Sequence, residues 1–190
     1  MLISSGWAKG ARLQVPPGDA TRPTAIKVRA AALNMVASDL PGAQVVDLFA
    51  GSGALGLEAV SRGAARAVFV EQAAPALRAL KANITEVERR AKAQGLDLPL
   101  LSILARPLPE ALSGVKGPFD LAFIDPPYSL VPKLAAPLLA GLMPFMNEGG
   151  SVVFECAATD VESVVAAAAS GWQLHQKRAY GETALVILIR

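Results

Sequence analysis

Short runs rich in β-branched and apolar residues recur at residues 44–49, 67–70, 98–104, 119–124 and 151–155, and stretches with helical spacing separate them. Within 54–62, Leu55, Leu57, Ala59 and Val60 fall on one side. Within 75–93, Leu77, Leu80, Ile84 and Val87 recur every three or four residues, with Arg78, Lys81, Glu88 and Arg89 outside. Further helices are predicted at 130–143 and 160–169. An earlier one, at 25–38, has Ile26, Ala30, Leu33 and Val36 or Ala37 as its apolar stripe and Thr24 as its cap, turns Lys27 and Asn34 outward, and stops before Pro41-Gly42. Residues 1–24 hold little periodicity and read as an extended arm or small hairpin. At the other end, 172–178 and 183–189 are consecutive strands joined at Tyr180-Gly181, a hairpin signal. Strands alternating with helices pair in parallel, and the closing hairpin adds an antiparallel strand. The expected fold is α/β: one mostly parallel seven-stranded sheet over residues 41–190, with an arm and helix over 1–40.

The stretch from Gln44 to Glu71 carries the first chemistry. A strand runs into Ala50-Gly51-Ser52-Gly53, a helix follows, and the second strand ends on Glu71. Gly51, Gly53 and Gly56 permit a tight turn and let a ligand approach the helix N-terminus, while Glu71 is placed to accept hydrogen bonds from two ribose hydroxyls. A nucleoside-bearing cofactor follows, and the glycine spacing alone fits a dinucleotide as well. Asp47 changes the balance: a carboxylate just before the turn is unhelpful beside a pyrophosphate and well placed for the ammonium of a methionine moiety. S-adenosylmethionine is the expected cofactor, with capping of backbone N–H groups as the plainer role for Asp47.

The fourth strand runs directly into Asp125-Pro126-Pro127-Tyr128. In an open α/β sheet, ligands bind beyond the carboxyl ends of the strands at the switch point, which strands one and four should flank. Two prolines fix φ and remove two donors, leaving carbonyls for a ligand. Asp125 and the Pro126 carbonyl can then accept the two hydrogens of an exocyclic amine, and Tyr128 offers a face on which an extruded base can stack.

At 190 residues, 53% of them apolar, the chain suits a single domain with a full core. The net charge of +2 is unevenly spread: residues 1–36 carry Lys9, Arg12, Arg22, Lys27 and Arg29 against Asp19 alone, a local +4 that suits a polyanion. The single cysteine, Cys156, excludes an internal disulfide and reads as a core thiol. Residues 134–146 are apolar but short and broken by prolines, so a soluble, cytoplasmic protein without membrane contact is expected. Nothing in the sequence suggests a metal site.

The glycine turn together with Asp125-Pro-Pro-Tyr128 resembles the class I S-adenosylmethionine-dependent methyltransferases of amino nitrogens, a Rossmann-like fold. More narrowly, Gly6-Trp7, Arg22-Pro-Thr24, Val28-Arg29, Leu33-Asn34 and Tyr180-Gly-Glu-Thr183 resemble the bacterial small-subunit ribosomal RNA guanine-N2 methyltransferases of the RsmD family, across essentially the whole chain. That resemblance implies methyl transfer to guanine N2 in ribosomal RNA, free or in an assembling particle, by an enzyme expected to be a monomer. It assigns Asp47, Phe49, Ala50, Gly51, Ser52, Gly53, Glu71 and Gln72 to the cofactor and Asp125, Pro126, Pro127 and Tyr128 to the target base. Lys9, Arg12, Arg22, Pro23, Thr24, Arg29 and Tyr180 are assigned to the RNA side. Two positions depart from the family pattern: Ala30 stands where Glu usually follows Val-Arg, and Leu104-Ala105-Arg106 where an Asp or Asn usually binds adenine. The same Asp-Pro-Pro-Tyr would serve a DNA adenine-N6 or protein glutamine methyltransferase. The glycines alone would serve an NAD-dependent oxidoreductase, and the two departures an idle RNA-binding relative.

Overall fold

The computed structural model describes residues 1–16, 23–168 and 171–190, the side chains of residues 23–25 excepted. Seven strands form one sheet: β1 (Gln44–Leu48), β2 (Arg66–Val70), β3 (Leu100–Leu104), β4 (Phe119–Ile124), β5 (Met146–Ala157), β6 (Gln173–Tyr180) and β7 (Thr183–Ile189). Their order is β3-β2-β1-β4-β5-β7-β6. β1 to β5 pair in parallel, and β7 runs antiparallel to both neighbours. The expected switch point lies where expected, between β1 and β4.

Side chains alternate between the two faces of each strand, so the apolar runs build two cores. On one face Val45, Phe69, Leu121, Phe123 and Leu185 pack with Ile3, Leu33, Leu57 and Leu80 from the arm and from helices α1 (Pro23–Met35), α2 (Ala54–Ser61) and α3 (Ala74–Ala93). On the other, Leu48, Val70, Ile124, Phe154 and Leu188 meet Leu138, Leu142 and Val164 from α4 (Val131–Leu142) and α5 (Val161–Ala167). The apolar stretch Tyr128–Phe145 is divided among α4 and flanking 3-10 turns. Within it Val131, Ala135, Leu138, Leu139 and Leu142 turn inward onto the sheet.

Several boundaries differ from expectation for identifiable reasons. β5 begins at Met146 rather than 151, because Gly149-Gly150, a turn signal in sequence, lies inside the strand where its pairing with β4 shifts register. Leu98 and Leu100 are exposed, so β3 is a shorter edge strand than its apolar run predicts. The α1 stripe is also rephased: Val28, Ala32, Leu33 and Val36 are buried and Ile26 is exposed, since the surrounding alanines carry no sidedness. α1 begins at Pro23, where a missing N–H costs nothing, one residue before the expected cap Thr24, whose side chain lies outside the described residues.

The arm is a small hairpin closed by a Leu2–Arg12 bridge. It is not a loose appendage: Ile3, Ala8, Ala11 and Leu13 are buried in the same core as the sheet. Trp7 N–H donates to the Ser61 carbonyl at 2.9 Å, and the Trp7 indole donates to the Val60 carbonyl at 3.1 Å.

Candidate active site

At the carboxyl end of β1 the chain turns abruptly. Strand geometry stops at Leu48, and Phe49, expected as the last strand residue, sits at φ 62°, a left-handed conformation that costs a non-glycine residue free energy. Gly51 and Gly53 follow at φ 55° and 78°. Gly56 serves packing: a Cβ there would lie 2.5 Å from Phe69 Cε1 and 3.1 Å from Asp47 Oδ2.

The turn's amides are largely taken by the protein itself. Gly51 N–H donates to Glu71 Oε2 at 2.8 Å, Gly53 N–H to the Ala50 carbonyl at 2.7 Å, and Gly56 N–H to Asp47 Oδ2 at 2.9 Å. These three glycine amides are therefore not the open anion cradle that the spacing alone allows. Glu71 also accepts from Gln72 and Ala73 N–H, each at 2.7 Å, so the end of β2 and the glycine turn are locked by one carboxylate. Asn83, buried on α3 and passed over by the sequence reading, binds the turn to the arm. Its Nδ2 donates to the Ser52 carbonyl at 2.8 Å and the Gln14 carbonyl at 2.9 Å, and its Oδ1 accepts from Gln14 N–H. The available signal was an Asn at the inward phase of Leu80 and Val87.

Strand register brings the second half of the site to the first. Leu48 lies opposite both Val70 and Ile124, and Ile124 opposite Phe154. The residues that follow them, Phe49, Glu71 and Asp125 just past three strand ends and Glu155 within the last paired residues of β5, therefore stand side by side. A cleft of about 700 Å³ opens above them, a size suited to a small-molecule ligand. Asp47, Phe49, Ala50, Gly51, Ser52, Glu71 and Gln72 line it together with Asp125, Pro126, Pro127 and Tyr128; Gly53 sits buried behind the turn. Arg106, Leu108 and Glu155 also line it and were not foreseen as site residues.

The cleft floor is acidic. Asp47, 2% exposed, has its carboxyl pushed up to about 7, mainly by burial, with the Gly56 N–H opposing and Glu71 adding repulsion. Asp125 is raised well above the usual carboxylate range by burial, then by Glu155 and by Asp47. Burial likewise raises Glu155, whose Oε1 accepts from the Tyr128 hydroxyl at 3.2 Å. That hydroxyl also lies 2.7 Å from Thr183 Oγ1, which anchors the ring at its far end. Of the two carbonyls expected to face a ligand, Pro127's accepts from Leu130 N–H at 2.8 Å. Pro126's makes no hydrogen bond among the described residues. Cys156 is a buried free thiol raised to about 12 by burial, which suits the core role predicted for it.

The residues expected on the RNA side do not converge equally. Lys9, Arg12 and Lys27 are exposed. Tyr180 is half-buried and packs against the first core cluster rather than lining the cleft. Arg29, 9% exposed, faces inward instead. Its Nη2 donates to the Leu2 carbonyl at 3.0 Å, and its Nε lies 3.5 Å from Glu58. Its Nη1 also meets the Met1 sulfur. Glu58, 1% exposed, is shared with Arg62 at 2.8 Å and with the Ser4 hydroxyl. Arg29 also lines the cleft, so it reaches the site from this buried ion-pair cluster rather than from an exposed surface. Arg22 and the side chains of Pro23 and Thr24 lie outside the described residues.

A family model described as Conserved hypothetical protein 95 matches residues 1–189. Ribosomal RNA small subunit methyltransferase D of Escherichia coli (strain K12) is 30% identical over 96% of this chain and 86% of its own length. The chain belongs to the RsmD family. A Bacillus subtilis (strain 168) member, provisionally named rRNA methyltransferase YlbH, is 33% identical over 98% of this chain and 97% of its own. A solved structure from Escherichia coli, provisionally named methyltransferase yhhF, superposes with a TM-score of 0.75 at 26% identity, covering 100% of this chain and 97% of that one. RsmD-family membership extends to the arm, in keeping with the arm's burial in the common core.

Proposed function

We propose that this chain transfers a methyl group from S-adenosylmethionine to the exocyclic N2 amine of a guanine in small-subunit ribosomal RNA. The observation that carries the reading is the acidic cleft beside an internally capped glycine turn. Carboxyls at 47, 125 and 155 suit a cofactor bearing an ammonium and a sulfonium, and they would repel a pyrophosphate. The bonds to the Gly51, Gly53 and Gly56 amides further reduce what a dinucleotide would need. This favours S-adenosylmethionine over NAD. The donor set fits the cofactor: Glu71, its orientation fixed by three backbone amides, takes the ribose hydroxyls, and Asp47 takes the ammonium. Ala50, Ser52 and Gln72 complete the wall, and Phe49, Arg106 and Leu108 offer packing surfaces for adenine in place of the usual carboxamide or carboxylate.

When bound, the cofactor supplies a methyl on a positively charged sulfur. The protein's own contribution is placement and removal of water. Asp125 and the Pro126 carbonyl accept the two amine hydrogens and direct the nitrogen lone pair across the cleft, while the Tyr128 ring, held at its hydroxyl, supports the base. As the N–C bond forms, one amine proton is lost, and the carboxyl cluster with its raised affinity for protons is the nearest acceptor. RNA approaches over the exposed cations Lys9, Arg12 and Lys27. The enzyme would act in the cytoplasm as a monomer, on free RNA or an assembling particle.

The test is radiolabelled methyl transfer to small-subunit RNA and particles from cells lacking the modification. Asp125→Ala should cut the rate at least about tenfold, a loss of about 1.4 kcal/mol or more in barrier stabilisation, with the cofactor Kd changed less than about threefold. Retention of more than a tenth of the rate would reject Asp125 as the amine acceptor.

A further inference from the structure

We propose that Glu155 reads the N1–H of the target guanine and so sets the enzyme's choice of guanine over adenine. This rests on the guanine-N2 reading above. Glu155 closes the buried run Val152-Val-Phe154 and stands beside Asp125, because Ile124 and Phe154 are register partners on adjacent parallel strands. One oxygen, Oε1, accepts from the Tyr128 hydroxyl. Oε2 has no hydrogen-bond partner among the described residues, and Glu155 lines the cleft. Anchoring Tyr128 needs a single acceptor, which a glutamine carbonyl would supply without placing a second carboxyl next to Asp125. The charge is therefore in excess of the structural need.

Base chemistry accounts for that excess. Guanine carries three donors side by side, N1–H and the two hydrogens of N2, next to the O6 acceptor. Asp125, the Pro126 carbonyl and Glu155 are three acceptors on one wall of the cleft. Adenine presents an unprotonated N1 next to its amine, so its lone pair would face the Glu155 carboxylate with no proton between them. A site built around a hydrogen-bonding group rejects the analogue that cannot pair with it far more strongly than an apolar site does. Glu155 thus separates the two bases at an atom that is not itself methylated, and Tyr128 couples stacking of the base to the orientation of its reader.

The experiment uses synthetic fragments of small-subunit RNA spanning the guanosine that the wild type methylates, with that base as guanine or as 2-aminopurine. The analogue keeps the amine, replaces N1–H by a lone pair and lacks O6, so the Glu155→Gln comparison isolates the N1 contribution. In single-turnover transfer the wild type should prefer guanine by about tenfold or more. Glu155→Gln should lose most of that preference, because its amide can donate to N1, while its melting temperature and cofactor Kd stay near wild type. Thr183→Val, which loosens Tyr128, should lower both rates and keep their ratio. A Glu155→Gln enzyme with the wild-type ratio, or a wild type indifferent to the analogue, would overturn the inference and leave the guanine-N2 reading standing. Transfer by the wild type to adenosine in place of guanosine would overturn both. A binding arm needs no variant: inosine RNA, which keeps N1–H and lacks the amine, should bind the wild type more tightly than 2-aminopurine RNA, and the reverse order would refute the assignment.

Discussion

Lowering the pH from 7.5 to 5.5 titrates Asp47, and loss of its charge should weaken binding of S-adenosylmethionine about 25-fold. The magnitude follows from the site. Burial holds this carboxyl at about 7, with Gly56 N–H as its hydrogen-bond donor. If the cofactor's ammonium engages only the ionised form, the apparent Kd scales with the reciprocal of the ionised fraction, which falls about tenfold per pH unit below 7. Binding near neutrality should also release a proton, visible in calorimetric titrations as a dependence of heat on the buffer's ionisation enthalpy. Stability of the free protein moves the opposite way. The folded state keeps its proton up to about pH 7 while the unfolded chain loses it near 4, so the Asp47 contribution to stability declines as pH rises through that window. A gap of about three pH units amounts to roughly 4 kcal/mol. Asp47→Asn should bind the cofactor weakly with a much flatter pH profile and should remove that decline. A wild-type Kd constant within twofold from pH 5.5 to 7.5, or an Asp47→Asn profile as steep as wild type, would refute the ammonium assignment.

Gly56→Ala should destabilise the fold by about 1–3 kcal/mol, lowering Tm by roughly 2–12 °C, because the new methyl meets Phe69 and Asp47 in a filled core; an unchanged Tm would show that the contact between α2 and β2 is loose. Arg29→Ala should cost about 3 kcal/mol, the low end for breaking a buried pair, since Arg62 still faces Glu58. Differential scanning calorimetry decides it: an intact Tm together with lost RNA affinity would make Arg29 a phosphate contact rather than a structural ion-pair partner.

The architecture was legible because it rests on periodicity. Five apolar runs with helical spacers dictate a parallel sheet, and the order of Asp47, the glycine turn, Glu71 and Asp125 along the chain fixes which strand ends they occupy. What escaped were pairings between distant positions. Nothing local in Val28-Arg29 says that its charge will be spent on Glu58 from another helix, and the +4 balance of the first 36 residues accordingly overstated the charge free to meet RNA. Phe49 continues an apolar run and looks like strand, yet the chain must reverse there so that the amide of Gly51 can reach Glu71.

Glu155 escaped for the same physical reason. In sequence it is the polar end of a core strand, with no motif around it. Its meaning comes from register: the Asp125-Pro-Pro-Tyr128 turn, the end of β5 and Thr183 of the terminal hairpin meet only once β4, β5 and β7 are side by side. A tyrosine placed by β4 is thus oriented by a carboxylate from β5 and a hydroxyl from β7. The Tyr180-Gly-Glu-Thr183 motif, quoted for its family likeness, has through Thr183 a structural role of its own: its hydroxyl holds that of Tyr128 at 2.7 Å.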